Sequence, residues 1–226
     1  MDGVTKINIL GNLESRPYVD MTCDVLSAFG VSTEHFTIPF AHHLVSPGTI
    51  EIEGDWSNAA FFLTAAALGS SVTVTGLNDC SSQGDREILT VLESLNNNIS
   101  ISAADIPDLV PILSIAAAAK QGAVFTDIQR LRLKESDRVS TVIQMIRALG
   151  GQADADDSTL TVSGTGLTGG TVDSCNDHRI AMAAAIAATV CKDPVTVYNA
   201  EAVNKSYPGF WQDYRTLGGH YEQYLR

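Results

Sequence analysis

Val124–Gly150 reads VFTDIQRLRLKESDRVSTVIQMIRALG. Its opening residues are β-branched and aromatic, which predicts a short strand. The polar stretch QRLRLKESDR follows as a loop. Val139, Val142, Ile143, Ile146 and Leu149 then recur at helical spacing, with Gln144 and Arg147 off that face. This predicts an amphipathic helix that lays one side on a sheet. Gly150 ends the unit. The same grammar of strand, polar loop, helix and Gly or Asn returns in VTKINILGNLESRPYVDMTCDVLSAFG (4–30), VTVTGLNDCSSQGDREILTVLESLN (72–96) and VTVYNAEAVNKSYPGFWQDYRTLG (195–218). An internal repeat of this kind, recurring roughly every 50–70 residues, decides the architecture before any single motif does.

Three of the four units follow an Ala-rich stretch: SNAAFFLTAAALG (57–69), LVPILSIAAAAKQG (109–122) and HRIAMAAAIAATVC (178–191). Each is apolar nearly all round and is expected to be a buried helix. The unit at 4–30 has no such helix before it. The chain therefore reads as starting in mid-repeat, with an apolar sheet face left uncovered. Pro39, Pro47, Gly48 and Gly54 punctuate a break in the pattern, with Ile50 and Ile52 alternating inside it. The expected division is a remnant of one lobe at residues 1–50 and a lobe of three units at residues 51–226, in an α/β (α+β) fold.

Composition narrows the function. The chain has 226 residues, 45% of them hydrophobic and 18% charged, enough for one or two packed cores. Its formal net charge of −12 argues against a nucleic-acid partner, which would favour a basic face. The stretch Ala181–Val190 is too short to span a bilayer. The start Met1-Asp2-Gly3 is acidic and is not read as a secretory signal, so a cytoplasmic protein with no membrane partner is expected. Cys23, Cys80, Cys175 and Cys191 form no CxxC pair. They are expected to be scattered buried thiols, not zinc ligands or disulfides. No metal site, P-loop or dinucleotide fingerprint is legible.

The basic residues cluster at predicted helix starts. In KESDR (134–138), Lys134 and Arg138 are four apart and would share a helix face. Glu135 and Asp137 complement the positive end of the helix dipole there, and the plain reading is a solvated helix start. The two cations face the wrong end of that dipole, a conflict that an anionic ligand would resolve. In NDHRIAM (176–182), Asp177 is the expected N-cap, with His178 and Arg179 in the first turn. That is an anion-binding position, or else an exposed Arg beside a capping Asp. In NKSYPGF (204–210), Lys205 precedes Ser206 as cap and Pro208 near the first helical position. SRPY (15–18) repeats this arrangement. Asp108, in ADIPDLVPIL, either caps the apolar helix after it or stands at a cleft wall as a base. Together the clusters suggest a site for a small, multiply anionic molecule.

The stretches SRPYVDMT, EGDWSNAAFFL, IPDLVPILSIAAAA, LRLKESDRV, NDHRIAMA and NKSYPGFW cover nearly the whole chain. In that order they resemble the 5-enolpyruvylshikimate-3-phosphate synthase family. The resemblance implies βαβαββ units, three to a lobe, with one complete lobe and a remnant of the other here. It implies transfer of the enolpyruvyl group of phosphoenolpyruvate to shikimate-3-phosphate without metal or organic cofactor. It implies Asp108 as base at the 5-hydroxyl and Glu135 as acid at the phosphoenolpyruvate methylene. Ser15, Tyr18, Asp108 and Lys134 would meet shikimate-3-phosphate; Arg138, Arg179 and Lys205 would clamp phosphoenolpyruvate.

Two departures stand out. At Arg130 the family commonly carries a neutral side chain that touches substrate. The family's N-terminal Lys-Ser pair and Asn-Ala-Gly-Thr segment have no counterpart. The 226 residues are therefore expected to be inactive alone and to need a complementary N-terminal segment. A UDP-sugar enolpyruvyl transferase, or a non-catalytic anion-binding module of the same fold, is the alternative.

Overall fold

The computed structural model describes residues 3–39, 43–97 and 99–224. Met1 and Asp2, and Phe40–His42 within the proline-marked break, lie outside them. In chain order the elements are β1 (Thr5–Lys6), α1 (Arg16–Ala28), β2 (Thr37–Ile38), α2 (Trp56–Ala67) and α3 (Ile88–Ser94). Next come β3 (Ile99–Ser102), α4 (Val110–Ala119), β4 (Gly122–Thr126), α5 (Arg138–Ala148), β5 (Gln152–Ala155) and β6 (Thr159–Ser163). The chain closes with β7 (Gly170–Asp173), α6 (His178–Ala187), β8 (Val195–Tyr198) and α7 (Phe210–Thr216).

The two best-formed repeats are βαβ units. β3 and β4 are parallel and joined through α4; β7 and β8 are parallel and joined through α6. Parallel neighbours need such a crossover, and in both units the Ala-rich helix supplies it. β4 continues into an antiparallel pairing with β6, and β6 with β5, giving the order β3-β4-β6-β5. β1 and β2 form a separate antiparallel pair.

α2, α4 and α6 touch one another pairwise. Every residue of α4 from Val110 to Ala118 is buried, and so is every residue of α6. Alanine makes this possible, because its small side chain lets three helix axes approach while the larger Ile112, Leu113, Ile115, Ile180 and Met182 fill the gaps between them. The expectation of all-round burial fails for α2, where Ala67 is exposed and the side of Ser57–Ala59 only half-buried. That helix has core on one side only. α5 buries Val139, Val142, Met145, Ile146 and Leu149, so Met145 takes the central place assigned to Ile143, which is only partly buried.

The stretch Val72–Gly76 is not a laddered strand, contrary to its β-rich sequence. Val72 and Val74 still alternate inward against the core, as in a strand. The backbone beside it is the segment ending at Gly54: a Cβ there would lie 2.7 Å from the Gly76 carbonyl oxygen. So the two extended segments flank α2 as β3 and β4 flank α4, without forming paired strands. The cysteines also depart from expectation. Cys80 and Cys175 are exposed, and Cys23 and Cys191 only partly covered. Cys80 lies in a turn, and Cys175 adopts a left-handed conformation (φ 51°) between β7 and α6, so neither faces the core.

Helix starts converge. Side chains from the beginnings of α1, α5 and α6 meet at Asp108, just before α4, and the 3-10 turn Gly84–Glu87 lies against the start of α1. A Cβ at Gly84 would lie 2.8 Å from both Pro17 Cγ and the Asp105 carbonyl. Only glycine allows that approach of the chain.

Candidate active site

Asp108 is the centre of the convergence. It does not cap α4: the N-cap is Leu109, which makes no side-chain cap. Its Oδ1 accepts from Arg138 Nη1 at 2.6 Å and lies 3.1 Å from Lys134 Nζ. Its Oδ2 accepts from Tyr18 Oη at 2.9 Å and from Arg179 Nη2 at 2.8 Å. Three helix starts, through Tyr18, Arg138 and Arg179, and Lys134 from the end of the 3-10 turn after β4 thus place their polar side chains on one carboxylate. Burial alone would raise its pKa. The charges of Arg179, Arg138 and Lys134 outweigh that and hold it far below the usual carboxylate range.

Arg138 is fully buried, at 0% exposure. Its Nε donates to Asp177 Oδ2 at 2.9 Å and its Nη2 to Glu135 Oε2 at 2.6 Å, besides the bond to Asp108. The conflict between a cation and the positive end of α5 is therefore resolved by three carboxylates from within the chain. Asp137 caps α5, accepting from the amides of Val139 and Ser140 at 3.1 and 3.2 Å. Lys134 lies outside α5 in extended backbone, so it shares no helix face with Arg138. The two meet through Asp108 instead.

Asp177 has two roles. Its Oδ1 caps α6 by accepting from the Arg179 amide at 3.0 Å, as expected. Its Oδ2 also accepts from Ser136 Oγ at 3.0 Å and from Arg138. Burial opposes its ionisation, but Arg138 and these hydrogen bonds prevail and lower its pKa. The second role is invisible in sequence, because capping already explains an Asp at that place. His178 is buried, and burial together with Arg179 lowers its pKa, so the imidazole is neutral near pH 7.

Arg179 differs from Arg138. Its Nε and Nη1 are buried without a hydrogen-bond partner among the described residues. Close by is Asp85, 3% exposed, which sequence reading did not single out. Burial pushes its carboxyl up to about 6 against the pull of Ser57 and Arg179. Its Oδ2 accepts from Ser57 Oγ, and Oδ1 has no partner among the described residues. The signal in QGDRE is slight, since nothing local separates a buried Asp from a solvated one.

The remaining candidates sit at the edge. Lys205 ends a 3-10 turn (Ala200–Lys205), and its Nζ donates to the Asn176 carbonyl at 2.5 Å, next to Asp177. Ser206 is not the cap of α7; Gly209 holds that position without a side-chain cap. Ser15 precedes α1 and accepts from Arg130 Nη1 at 2.6 Å. Tyr18 keeps its proton, because burial first, then Asp85 and Asp108, raise its pKa. A surface hollow of about 540 Å³ lies towards the other end of α1. Asp24 and Glu34 line it and no basic side chain does, which makes it unsuited to anions.

The arrangement offers a carboxylate ringed by cations, a second half-exposed carboxylate at Glu135, and unpartnered guanidinium donors on Arg179. The family model of EPSP synthase (3-phosphoshikimate 1-carboxyvinyltransferase) matches residues 2–104 and 96–214. The 3-phosphoshikimate 1-carboxyvinyltransferase of Clostridium acetobutylicum is 40% identical over 240 residues, covering 97% of this chain and 56% of the relative. That of Clostridium novyi is 38% identical over 243 residues, again with 97% and 56% covered. The chain thus spans a little over half the length of these curated relatives. Among solved structures, an EPSP synthase from Acinetobacter baumannii superposes with a TM-score of 0.80 at 24% identity, covering 96% of this chain and 57% of that one. The enolpyruvyl transferase NikO from Streptomyces tendae gives 0.68 at 16% identity, with 97% and 56% covered. These two likenesses concern the fold alone. With nearly its whole length matched by the family model and relatives this similar, the chain belongs to the EPSP synthase family.

Proposed function

We propose that this chain supplies the residues that transfer the enolpyruvyl group of phosphoenolpyruvate to the 5-hydroxyl of shikimate-3-phosphate, releasing inorganic phosphate. The observation that carries the reading is the single network joining Asp108, Glu135, Lys134, Arg138 and Arg179. Asp108 takes the hydroxyl proton as the 5-oxygen bonds to C2 of phosphoenolpyruvate, and Glu135 protonates the methylene carbon. The resulting tetrahedral adduct loses a methyl proton and phosphate, restoring the double bond. Asp108 is a weak base while three cations face it. Anionic substrates engaging those cations raise its proton affinity when a base is needed. Arg179, with two nitrogens unpartnered among the described residues, and Lys205, held among them by a carbonyl, have the capacity to grip phosphoenolpyruvate. Arg138 has already spent its donors on carboxylates and orients them. Ser15, Tyr18 and Lys134 face shikimate-3-phosphate in this reading. Dividing the chain at residue 50 into two lobes belongs to it too. Support comes from α1, which buries no residue, and from the β1–β2 pair, which joins no other sheet among the described residues.

The test joins this chain to the part of the C. acetobutylicum relative that it does not span and follows phosphate release. Turnover dependent on both substrates is expected. Glu135→Gln should lower kcat by about 10²–10⁴, the usual worth of a positioned acid or base, with KM for phosphoenolpyruvate nearly unchanged. A raised KM with kcat spared would return Glu135 to a helix-start role.

A further inference from the structure

We propose that Asp85 is a positioning residue for Arg179: as phosphoenolpyruvate binds, Asp85 Oδ1 receives Arg179 Nε, so that both terminal nitrogens face the substrate and Asp108 is released as base. This rests on the substrate reading above. Asp85 lies in the 3-10 turn Gly84–Glu87, which is framed by its neighbours. Gln83, just before the turn, accepts from the Trp56 amide and donates to the Gly54 carbonyl, both at 2.9 Å. Asp85 Oδ2 accepts from Ser57 Oγ in the first turn of α2. Gly84 presses on Pro17 and on the Asp105 carbonyl. Pro17 adjoins Tyr18, whose Oη donates to Asp108 Oδ2, the oxygen that also accepts from Arg179 Nη2. Asp85 thus stands in one cluster with Tyr18, Asp108 and Arg179, near enough for the charge of Arg179 to oppose the effect of burial on its carboxyl.

A carboxyl only 3% exposed, with one hydroxyl donor, is poorly compensated for leaving water. Its Oδ1 has no hydrogen-bond partner among the described residues, and neither do Arg179 Nε and Nη1. Buried polar groups are ordinarily paired, and here an acceptor and two donors without partners are complementary within one cluster. The other groups around Asp85 do not fill the role. Asp55 and Asp108 are acids, and Tyr18 gives its proton to Asp108. In the ligand-free arrangement Arg179 is one of the three cations that make Asp108 a weak base. A two-pronged grip on a carboxylate by Nη1 and Nη2 must take Nη2 from Asp108. Nε on a fixed carboxylate then holds the guanidinium plane towards the substrate. With its pKa at about 6, Asp85 is mostly ionised near pH 7 and able to accept.

The test has two arms. In the 226-residue chain, NMR follows the Arg179 Nε–H signal, assigned by its loss in Arg179→Lys, from pH 5 to 8. The signal should titrate with Asp85, and Asp85→Asn should remove that step while leaving any step due to neighbouring His178. Read from the other side, Arg179→Gln should move the midpoint of the Asp85 carboxyl 13C signal up by about one pH unit or more, the usual effect of losing a close opposite charge. This second measurement does not depend on Asp85→Asn folding. In the joined enzyme, Asp85→Asn should raise the KM for phosphoenolpyruvate about tenfold or more, the loss of a charge-assisted contact. The KM for shikimate-3-phosphate should stay nearly unchanged, and kcat at saturating phosphoenolpyruvate should change far less. A merely structural Asp85 would raise both KM values alike, which overturns the proposal. Turnover by the joined enzyme with neither NMR signal coupled overturns it too and leaves the substrate reading intact. No turnover by the unaltered joined enzyme overturns that reading, and this proposal with it.

Discussion

Two buried arginines in the first turns of their helices behave differently because their neighbours do. Arg138 meets three carboxylates, whereas Arg179 meets one and leaves Nε and Nη1 unpartnered among the described residues. Removing Arg138 strands Asp177 as a buried charge, while Asp108 keeps Arg179 and Lys134; breaking a buried pair in this way typically costs about 3–5 kcal/mol. Arg138→Ala should lose that much stability in urea denaturation. Arg179→Lys should cost far less stability but, in the joined enzyme, raise the KM for phosphoenolpyruvate, because lysine lacks the two-pronged grip. Equal stability losses for the two would remove the distinction. Residue types and their clustering were legible in LKESDR and NDHRIAM. Which cation was already neutralised was not, since the carboxylates that decide it come from positions 30 and 39 residues away.

At the scale of elements, the three Ala-rich helices carry the architecture. Ala184 is fully buried in α6, where α2 and α4 pack. Ala184→Leu adds methylenes to a filled space and should cost about 1–3 kcal/mol by chemical denaturation. Ala67→Leu, at the exposed end of α2, should change stability by less than about 0.5 kcal/mol. Similar effects at both sites would mean that the helices do not pack as described. Helix positions were legible because apolar periodicity and a capping residue such as Asp177 are local properties. Val72–Gly76 has the composition of a strand yet forms no ladder, because a ladder needs a partner and composition does not supply one.

At the scale of the molecule, the buried carboxyls give stability a pH dependence of two signs. Asp108 and Asp177 have lowered pKa values in the folded state. Their stabilisation is present above about pH 4, the unfolded carboxyl value, and is lost as pH falls below it. Asp85 is raised to about 6. The folded state then holds a proton that the unfolded state releases, so its contribution declines as pH rises from about 4 to 6. The stability difference between Asp85→Asn and the unaltered protein cancels the other groups. It should shift in favour of the variant across that window, by on the order of 2–3 kcal/mol, and stay level above it. A difference independent of pH would show that Asp85 titrates normally.

The sequence by itself determined the repeat, the buried helices α4 and α6, the cap of α6 and most of the residues that gather around Asp108. These follow from periodicity and residue type, which are local and survive in a linear reading. Only the tertiary structure decided that Asp108 is a hub instead of a cap, that Arg138 is internally satisfied while Arg179 keeps unpartnered donors, and that Arg130 reaches Ser15. Each of these depends on charges brought within about 3 Å of each other from distant parts of the chain. Coulombic and hydrogen-bond energies depend on separation in space, and spacing along the chain does not specify it.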